Sequence, residues 1–387
     1  MKIAIFTETF FPHINGVLTA IINLSKGLAD SGHKVYIITP KFKGGPEFIY
    51  PNITVHYIKG INAFIYEDIK MVSPVSVRTL NFLKKEQIDI IHFMSPWTTG
   101  NKAIFISKFL NVPIVGTFHT LFGAPENLKH VHLNYPFIKK HVWKYINSYY
   151  NKCDLVSCPS TFAKQELLNH GCKAPVVVIS NGIEKKEVNK KNLLKLKKKY
   201  KKNQILLFVG RIAFEKNIEQ LIDCFKLILE KKPKVKLLLI GNGPQFNNIK
   251  NKIKKENLEK QIVLLGPIEH NKLLADGYYQ LADLFVSTSK TETFGLTMLE
   301  AQINGVVCVV SNAAGVGYLI KNNKTGMLVP PDNNKAFAKT VINILEDKKK
   351  CAEIKNNLKE SVKIHYIPNI IKKWEKEYSK LIRNKKK

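Results

Sequence analysis

Short apolar runs separated by helical lengths constrain this chain more than any other feature. They occur in two series, and each series opens with a run that ends in a polar turn. In the first, Lys2-Ile-Ala-Ile-Phe6 leads to helical spacing at Val17, Leu18, Ile21, Ile22, Leu24 and Leu28. Gly32 closes that helix, and Lys34 to Thr39 supplies the next run, which makes a β-α-β unit. Further runs lie at Ile88–Phe93, Pro113–Phe118, Asp154–Cys158 and Val176–Ile179. The second series runs through Ile205–Val209, Val235–Ile240, Ile262–Leu265, Leu284–Ser287 and Val306–Val310.

Strands that alternate with helices build parallel sheets covered on both faces. The expected fold class is therefore α/β: two Rossmann-like, doubly wound parallel-sheet domains facing across a cleft. The expected domains are residues 1–182 and 204–364. A Lys-rich linker, 183–203, would join them as a solvated segment or a surface helix, because it holds ten lysines against Glu184 and Glu187. Apolar residues at Ile367, Ile371, Trp374, Tyr378 and Leu381 mark a C-terminal amphipathic helix over about 365–387.

A chain of 387 residues with 45% hydrophobic content can bury two cores. It has no apolar run of about 18 residues, and its first residues pass straight into a polar loop, so it reads as cytoplasmic. Six cysteines without a C-x-x-C pair suggest neither zinc nor a disulfide framework. The formal charge of +31 is either a compositional habit or an attraction to anionic lipid or nucleic acid. The lysines come with no recognised nucleic-acid module, so nucleic acid is not expected as a partner.

The candidate binding residues follow strand ends, which are the ligand edge of such sheets. After Val209 comes Gly210-Arg-Ile-Ala-Phe-Glu-Lys-Asn217, with Arg211 and Lys216 on either side of a short turn. Two cations at one strand end can neutralise a diphosphate, and they can equally be exposed surface charges. After Leu284–Ser287 the loop reaches Phe294-Gly295-Leu296-Thr297. A helix starting there offers free amides to a phosphate, with Gly295 allowing close approach, although a plain turn has the same composition. Gly16 opens a similar strand–loop–helix arrangement in the first half.

Glu292 and Glu300 flank the Phe294-Gly295 pair. Eight positions on one helix put side chains roughly 80° apart, so a shared helical face is not expected. Glu292 is read instead as a loop residue that holds a sugar hydroxyl, and Glu300 as a helix residue that accepts from ribose. No D-x-D occurs, so no carboxylate-bound metal is expected. His119, just past a strand, is either structural or within reach of the cleft. Gly241-Asn-Gly243-Pro244 lacks the third glycine of a dinucleotide fingerprint.

Taken together, Gly16-Val17, the His119 segment, Ser180-Asn-Gly-Ile183, Gly210-Arg211 through Lys216-Asn217, Gly241 to Pro244 and the E-x7-E from Glu292 to Glu300 resemble a family-four glycosyltransferase of the GT-B fold. The resemblance covers nearly the whole chain. It implies retaining transfer of a hexose from a sugar nucleotide with no cofactor and no essential metal. By that resemblance Arg211 and Lys216 bind the diphosphate, Glu292 the donor sugar and Glu300 the ribose. Gly16, with Phe294, Gly295 and Leu296, completes a phosphate cradle. Gly266 to Ile268 lies beside the base, His119 near the reacting sugar, and the C-terminal helix crosses back to the first domain.

The opening Phe6 to Pro12 and Asn15 to Val17 are most similar to bacterial diacylglycerol glucosyltransferases and phosphatidylinositol mannosyltransferases. This implies UDP-glucose as donor, a lipid acceptor, and a peripheral place on the inner face of the cell membrane; a soluble saccharide acceptor is the alternative. The stretch 136–149 agrees with a lipid acceptor. Ile138, Val142, Tyr145, Ile146 and Tyr149 form one helical stripe, with Lys139, Lys140, Trp143 and Lys144 off it. Such a helix either lies in an anionic membrane interface or buries its stripe under a basic solvent face.

Overall fold

The computed structural model describes residues 1–12, 15–62, 70–119 and 136–386. The chain divides into two compact units: Met1–Ile183 with His365–Lys387, and Glu184–Ile364.

In the first unit the sheet strands are β1 (Lys2–Phe6), β2 (Lys34–Pro40), β3 (Ile53–Ile58), β4 (Ile90–Phe93), β5 (Ile114–Thr117), β6 (Leu155–Cys158) and β7 (Val176–Val178). Their order is β3-β2-β1-β4-β5-β6-β7 and every pairing is parallel. The second unit repeats the plan with β8 (Gln204–Val209), β9 (Val235–Ile240), β10 (Ile262–Gly266), β11 (Leu284–Ser287), β12 (Val307–Ser311) and β13 (Met327–Val329), in the parallel order β10-β9-β8-β11-β12-β13. Helices cover both faces of such sheets, which is why central strands read as continuous apolar runs. Ile3, Ala4, Ile5 and Phe6 are all fully buried, as is Leu207 in β8. Each sheet steps outward from its first strand and then jumps back beside it. The switch points, β1/β4 and β8/β11, are where ligands bind in such folds.

Local chemistry sets the helix ends that matter. Asn15 caps the helix Gly16–Asp30, its side chain accepting from the Leu18 amide at 2.9 Å. Gly32, at φ +83°, follows its end, and the His33 amide reaches back to the Leu28 carbonyl. The helix Ile367–Lys386 packs on this first helix through Ile370, Ile371, Trp374 and Tyr378, all buried. Gly27 makes that approach possible, since a β-carbon there would lie 2.5 Å from Ile367 Cγ2.

The structure differs from the sequence-based reading in two places. Residues 183–203 do not stand apart as a linker: from Glu184 onward they belong to the second unit, and Lys190–Lys199 is a helix with no buried residue, the surface helix that the block of lysines also allows. Asn192 donates to Asp276 at 2.7 Å, and Gly277 sits so close to Val188 and Leu193 that a β-carbon would meet them at 2.8 and 3.1 Å. The edge strands β3 and β13 were not anticipated. One alternates half-exposed residues at the sheet edge and the other spans three residues, so neither shows an apolar run of core length.

Candidate active site

In the second unit three loops converge at the ends of β8, β9 and β10. The Gly210 amide donates to the Ile240 carbonyl at 3.0 Å, Ile212 to Asn242 at 2.9 Å, and Gly241 to Gly266 at 2.9 Å. This backbone contact requires glycine. A β-carbon on Gly241, at φ +143°, would lie 1.8 Å from the Gly210 carbonyl oxygen, and one on Gly243 would lie 2.5 Å from that of Ile212. The Gly-Asn-Gly segment therefore shapes the loop that carries Arg211, whose stem passes over Gly243 and whose residue is exposed.

From Arg211 the chain enters a 3₁₀ turn, Phe214–Lys216, and then the helix Ile218–Lys231. Two hydroxyls after β11 hold this turn: Thr288 donates to the Asn217 carbonyl at 2.8 Å, and Ser289 to that of Glu215 at 3.1 Å. The consequence is an ion pair. Lys216 Nζ reaches Glu292 Oε1 at 2.5 Å, with side chains 21% and 15% exposed. The Glu292 backbone is fixed from the other side, where its carbonyl accepts from the Gly315 amide at 2.7 Å. A β-carbon on Gly315 would strike the Thr293 carbonyl oxygen at 2.1 Å.

Gly295, at φ +90°, precedes the helix Leu296–Ile303, and no side chain caps that helix. Phe294 is buried against Tyr318, with ring centroids 6.2 Å apart, while Leu296 is half-buried. Glu300, within the helix, is 4% exposed and both of its oxygens are engaged. Oε1 lies 2.7 Å from His270 Nε2, and Oε2 accepts from the Tyr279 hydroxyl at 2.6 Å. Thus Glu292 and Glu300 do occupy a loop and a helix, and each has its own cationic or phenolic partner. Gly266, at φ +72°, ends β10, with half-buried Ile268 shortly after it.

In the first unit Gly16 starts its helix, exposed and with open space where a β-carbon would stand. The loop after β1 is held by Glu8, a buried carboxylate that accepts from the Thr99 amide at 2.7 Å and from the Ser95 hydroxyl. Burial raises its pKa despite these bonds. His119 follows β5 and lines a small cavity with Asn23, Met94, Thr117, Ser180 and Trp374. Its Nε2 is buried with no hydrogen-bond partner among the described residues, and burial lowers its pKa to about 4. Beneath it His92, fully buried, joins Tyr378 Oη at 2.7 Å to Thr117 Oγ1 at 2.5 Å. His365 Nδ1 lies 2.7 Å from Ser180 Oγ, tying the Ser180 to Ile183 loop to the returning chain.

Comparison with known families settles what carries these loops. Residues 14–187 match the family model described as Glycosyltransferase Family 4, and residues 189–361 match Glycosyl transferases group 1. This chain is a glycosyltransferase of the GT-B fold. The enzyme is similar to the alpha-monoglucosyldiacylglycerol synthase of Streptococcus pneumoniae, at 29% identity over 87% of this chain and 77% of that protein. The protein of the same name from Acholeplasma laidlawii is 27% identical over 100% of this chain and 99% of its own length. Among solved structures, sucrose-phosphate synthase from Thermosynechococcus elongatus superposes with a TM-score of 0.79 at 20% identity, covering 99% of each chain, a likeness of fold.

One expected site residue of the enzyme moves elsewhere. Trp143, expected at a membrane interface, is 3% exposed and stacks on His170, 4.1 Å between centroids and 13° between planes. It is part of the first unit's core, because the helix Pro136–Tyr150 turns Trp143, Ile146 and Tyr149 inward. Lys140 and Lys144 are exposed on that helix; the Lys139 side chain lies outside the described residues. Sequence reasoning missed His270, Tyr279, Gly315 and Glu8. Only Glu8, an acid directly after a buried strand, left a local signal.

Proposed function

We propose that this enzyme transfers glucose from UDP-glucose, with retention of configuration, to 1,2-diacylglycerol or a glycolipid on the inner face of the cell membrane, and that it needs no metal ion. The observation that carries this reading is the match along 100% of the chain to a protein named for making monoglucosyldiacylglycerol. In this reading Arg211 and Lys216 take the charge of the departing diphosphate, and the uncapped amides at Leu296 and Thr297 add the positive end of a helix dipole. These groups do the work for which other sites use a metal.

Glu292, oriented by Lys216 and the Gly315 amide, holds a hydroxyl of the donor sugar. His119 is neutral at physiological pH, so its ring can sit beside positive charge developing at the anomeric carbon without repelling it. No side chain is assigned as a nucleophile. The acceptor hydroxyl attacks from the face the diphosphate leaves, and the diphosphate oxygen takes its proton. Positioning and leaving-group stabilisation then supply the rate.

No helix among the described residues is long and apolar enough to cross a membrane, so contact with the lipid is peripheral in this reading. Flotation with vesicles tests it. Co-flotation with anionic vesicles at moderate salt, and not with neutral ones, is the expected result. Absence of binding to both would move the acceptor to a soluble saccharide.

A further inference from the structure

Two carboxylates lie on either side of Gly295 in the loop and helix of the proposed donor site, and both are matched. Glu292 has Lys216 at 2.5 Å. Glu300, nearly inaccessible to water, has His270 Nε2 at 2.7 Å from Oε1 and the Tyr279 hydroxyl at 2.6 Å from Oε2. Tyr279 is fully buried, and burial together with Glu300 pushes its pKa well above the phenol range. It donates a hydrogen bond and leaves the charge of Glu300 unchanged. His270 can neutralise that charge, and its side chain is 28% exposed.

We propose that His270 is a positioning residue for the nucleotide: as imidazolium it fixes Glu300 in place and cancels its charge, so that the diphosphate meets a cationic pocket. This rests on the donor-site reading above. Without the His270 proton, Arg211 and Lys216 are balanced by Glu292 and Glu300. With it, one positive charge is in excess, and a dianion binds more tightly. The hydrogen bond survives deprotonation, because a neutral ring can keep its Nε2–H; only the charge is lost.

The groups around His270 decide its proton. Glu300 faces it from the helix Leu296–Ile303 and Tyr279 from the helix Tyr278–Leu281. Glu269 adjoins it, and Lys186 approaches from the segment before Lys190, donating to Asn271 at 2.5 Å. Burial lowers the His270 pKa, but the bond and charge of Glu300 outweigh burial and Lys186, and the net direction is upward. The charged form therefore persists to a higher pH than in a free histidine.

The test is calorimetric titration of the whole enzyme with UDP-glucose and GDP-mannose between about pH 6 and pH 9, where their diphosphate diesters do not titrate. Wild-type affinity for the bound sugar nucleotide should weaken by roughly five- to tenfold as pH rises. His270→Gln, which keeps an N–H for Glu300 without charge, should be flat at the weak level, and His270→Arg flat at the tight one. A pH dependence shared by wild type and His270→Gln would overturn the His270 role alone. No binding of either sugar nucleotide by the wild type at any pH would overturn the donor-site reading with it.

Discussion

Lys216 and Glu292, 76 residues apart, meet at 2.5 Å because two hydroxyls of one loop hold the other loop's turn. The pair sits at a switch point of the sheet, with each partner still partly open to solvent. Neither residue is needed to close a core. Lys216→Ala and Glu292→Ala should each lower turnover by about two to three orders of magnitude, the usual cost of removing one group that stabilises a leaving charge or holds a reacting sugar. Circular dichroism should show the fold intact. Near-wild-type turnover in both variants would sink the site assignment.

Gly241→Ala should be costly for a different reason. The new methyl has a carbonyl oxygen 1.8 Å away, and φ at +143° is unfavourable for any side chain. A loss of about 2–4 kcal/mol is expected in urea unfolding followed by circular dichroism, with weaker donor affinity because Gly210 must move and Arg211 with it. An unchanged midpoint would mean that the β8 and β9 loops are not locked together.

Acid should destabilise the first unit. Burial depresses His92 to about 3 and His365 to about 4, so both stay neutral in the fold while the unfolded chain takes up protons below about pH 6.5. Stability is then lost as pH falls from about 6.5 towards 4, at up to about 1.4 kcal/mol per pH unit for each ring. Glu8 opposes this, because its buried carboxyl binds a proton in the fold before it does in the unfolded chain. All three tryptophans, Trp97, Trp143 and Trp374, lie in this unit, so tryptophan fluorescence follows it specifically. The fluorescence midpoint in urea should fall between pH 7 and pH 5, and fall less in His92→Gln. An equal fall in that variant would remove His92 from the account.

Trp143 and the neighbouring lysines should separate cleanly. Trp143→Ala removes a ring that is 3% exposed and should cost about 3–5 kcal/mol of stability, with vesicle binding of the folded fraction unchanged. Lys140→Gln with Lys144→Gln should leave stability alone and weaken flotation on anionic vesicles about tenfold. Unaltered flotation in the double variant would move the docking surface off this helix.

How much of this was legible in the sequence follows from where the information lies. The central strands could be read because burial on both faces leaves an uninterrupted apolar run, as in Ile3 to Phe6. The loop position of Glu292 and the helical position of Glu300 could be read because side chains eight residues apart on one helix stand roughly 80° apart, which argues against one shared face. The partners of Glu300 could not. His270 and Tyr279 come from the β10–β11 connection and meet the acid only once the sheet has formed. The Gly241 to Gly243 segment was legible as a loop, but its purpose, backbone touching backbone, has no signature apart from a tertiary neighbour. Trp143 misled because the spacing of a helix defines its faces but not which face His170 and Phe118 will cover.

One measurement bears most directly on the central claim: transfer of labelled glucose from UDP-glucose to 1,2-diacylglycerol in mixed micelles containing anionic lipid, with a chelator present. The expected result is labelled, organic-soluble product whose α-linkage matches that of the donor, lost in Glu292→Ala. Label that stays in the aqueous phase, or transfer that stops when metal is chelated, would contradict it.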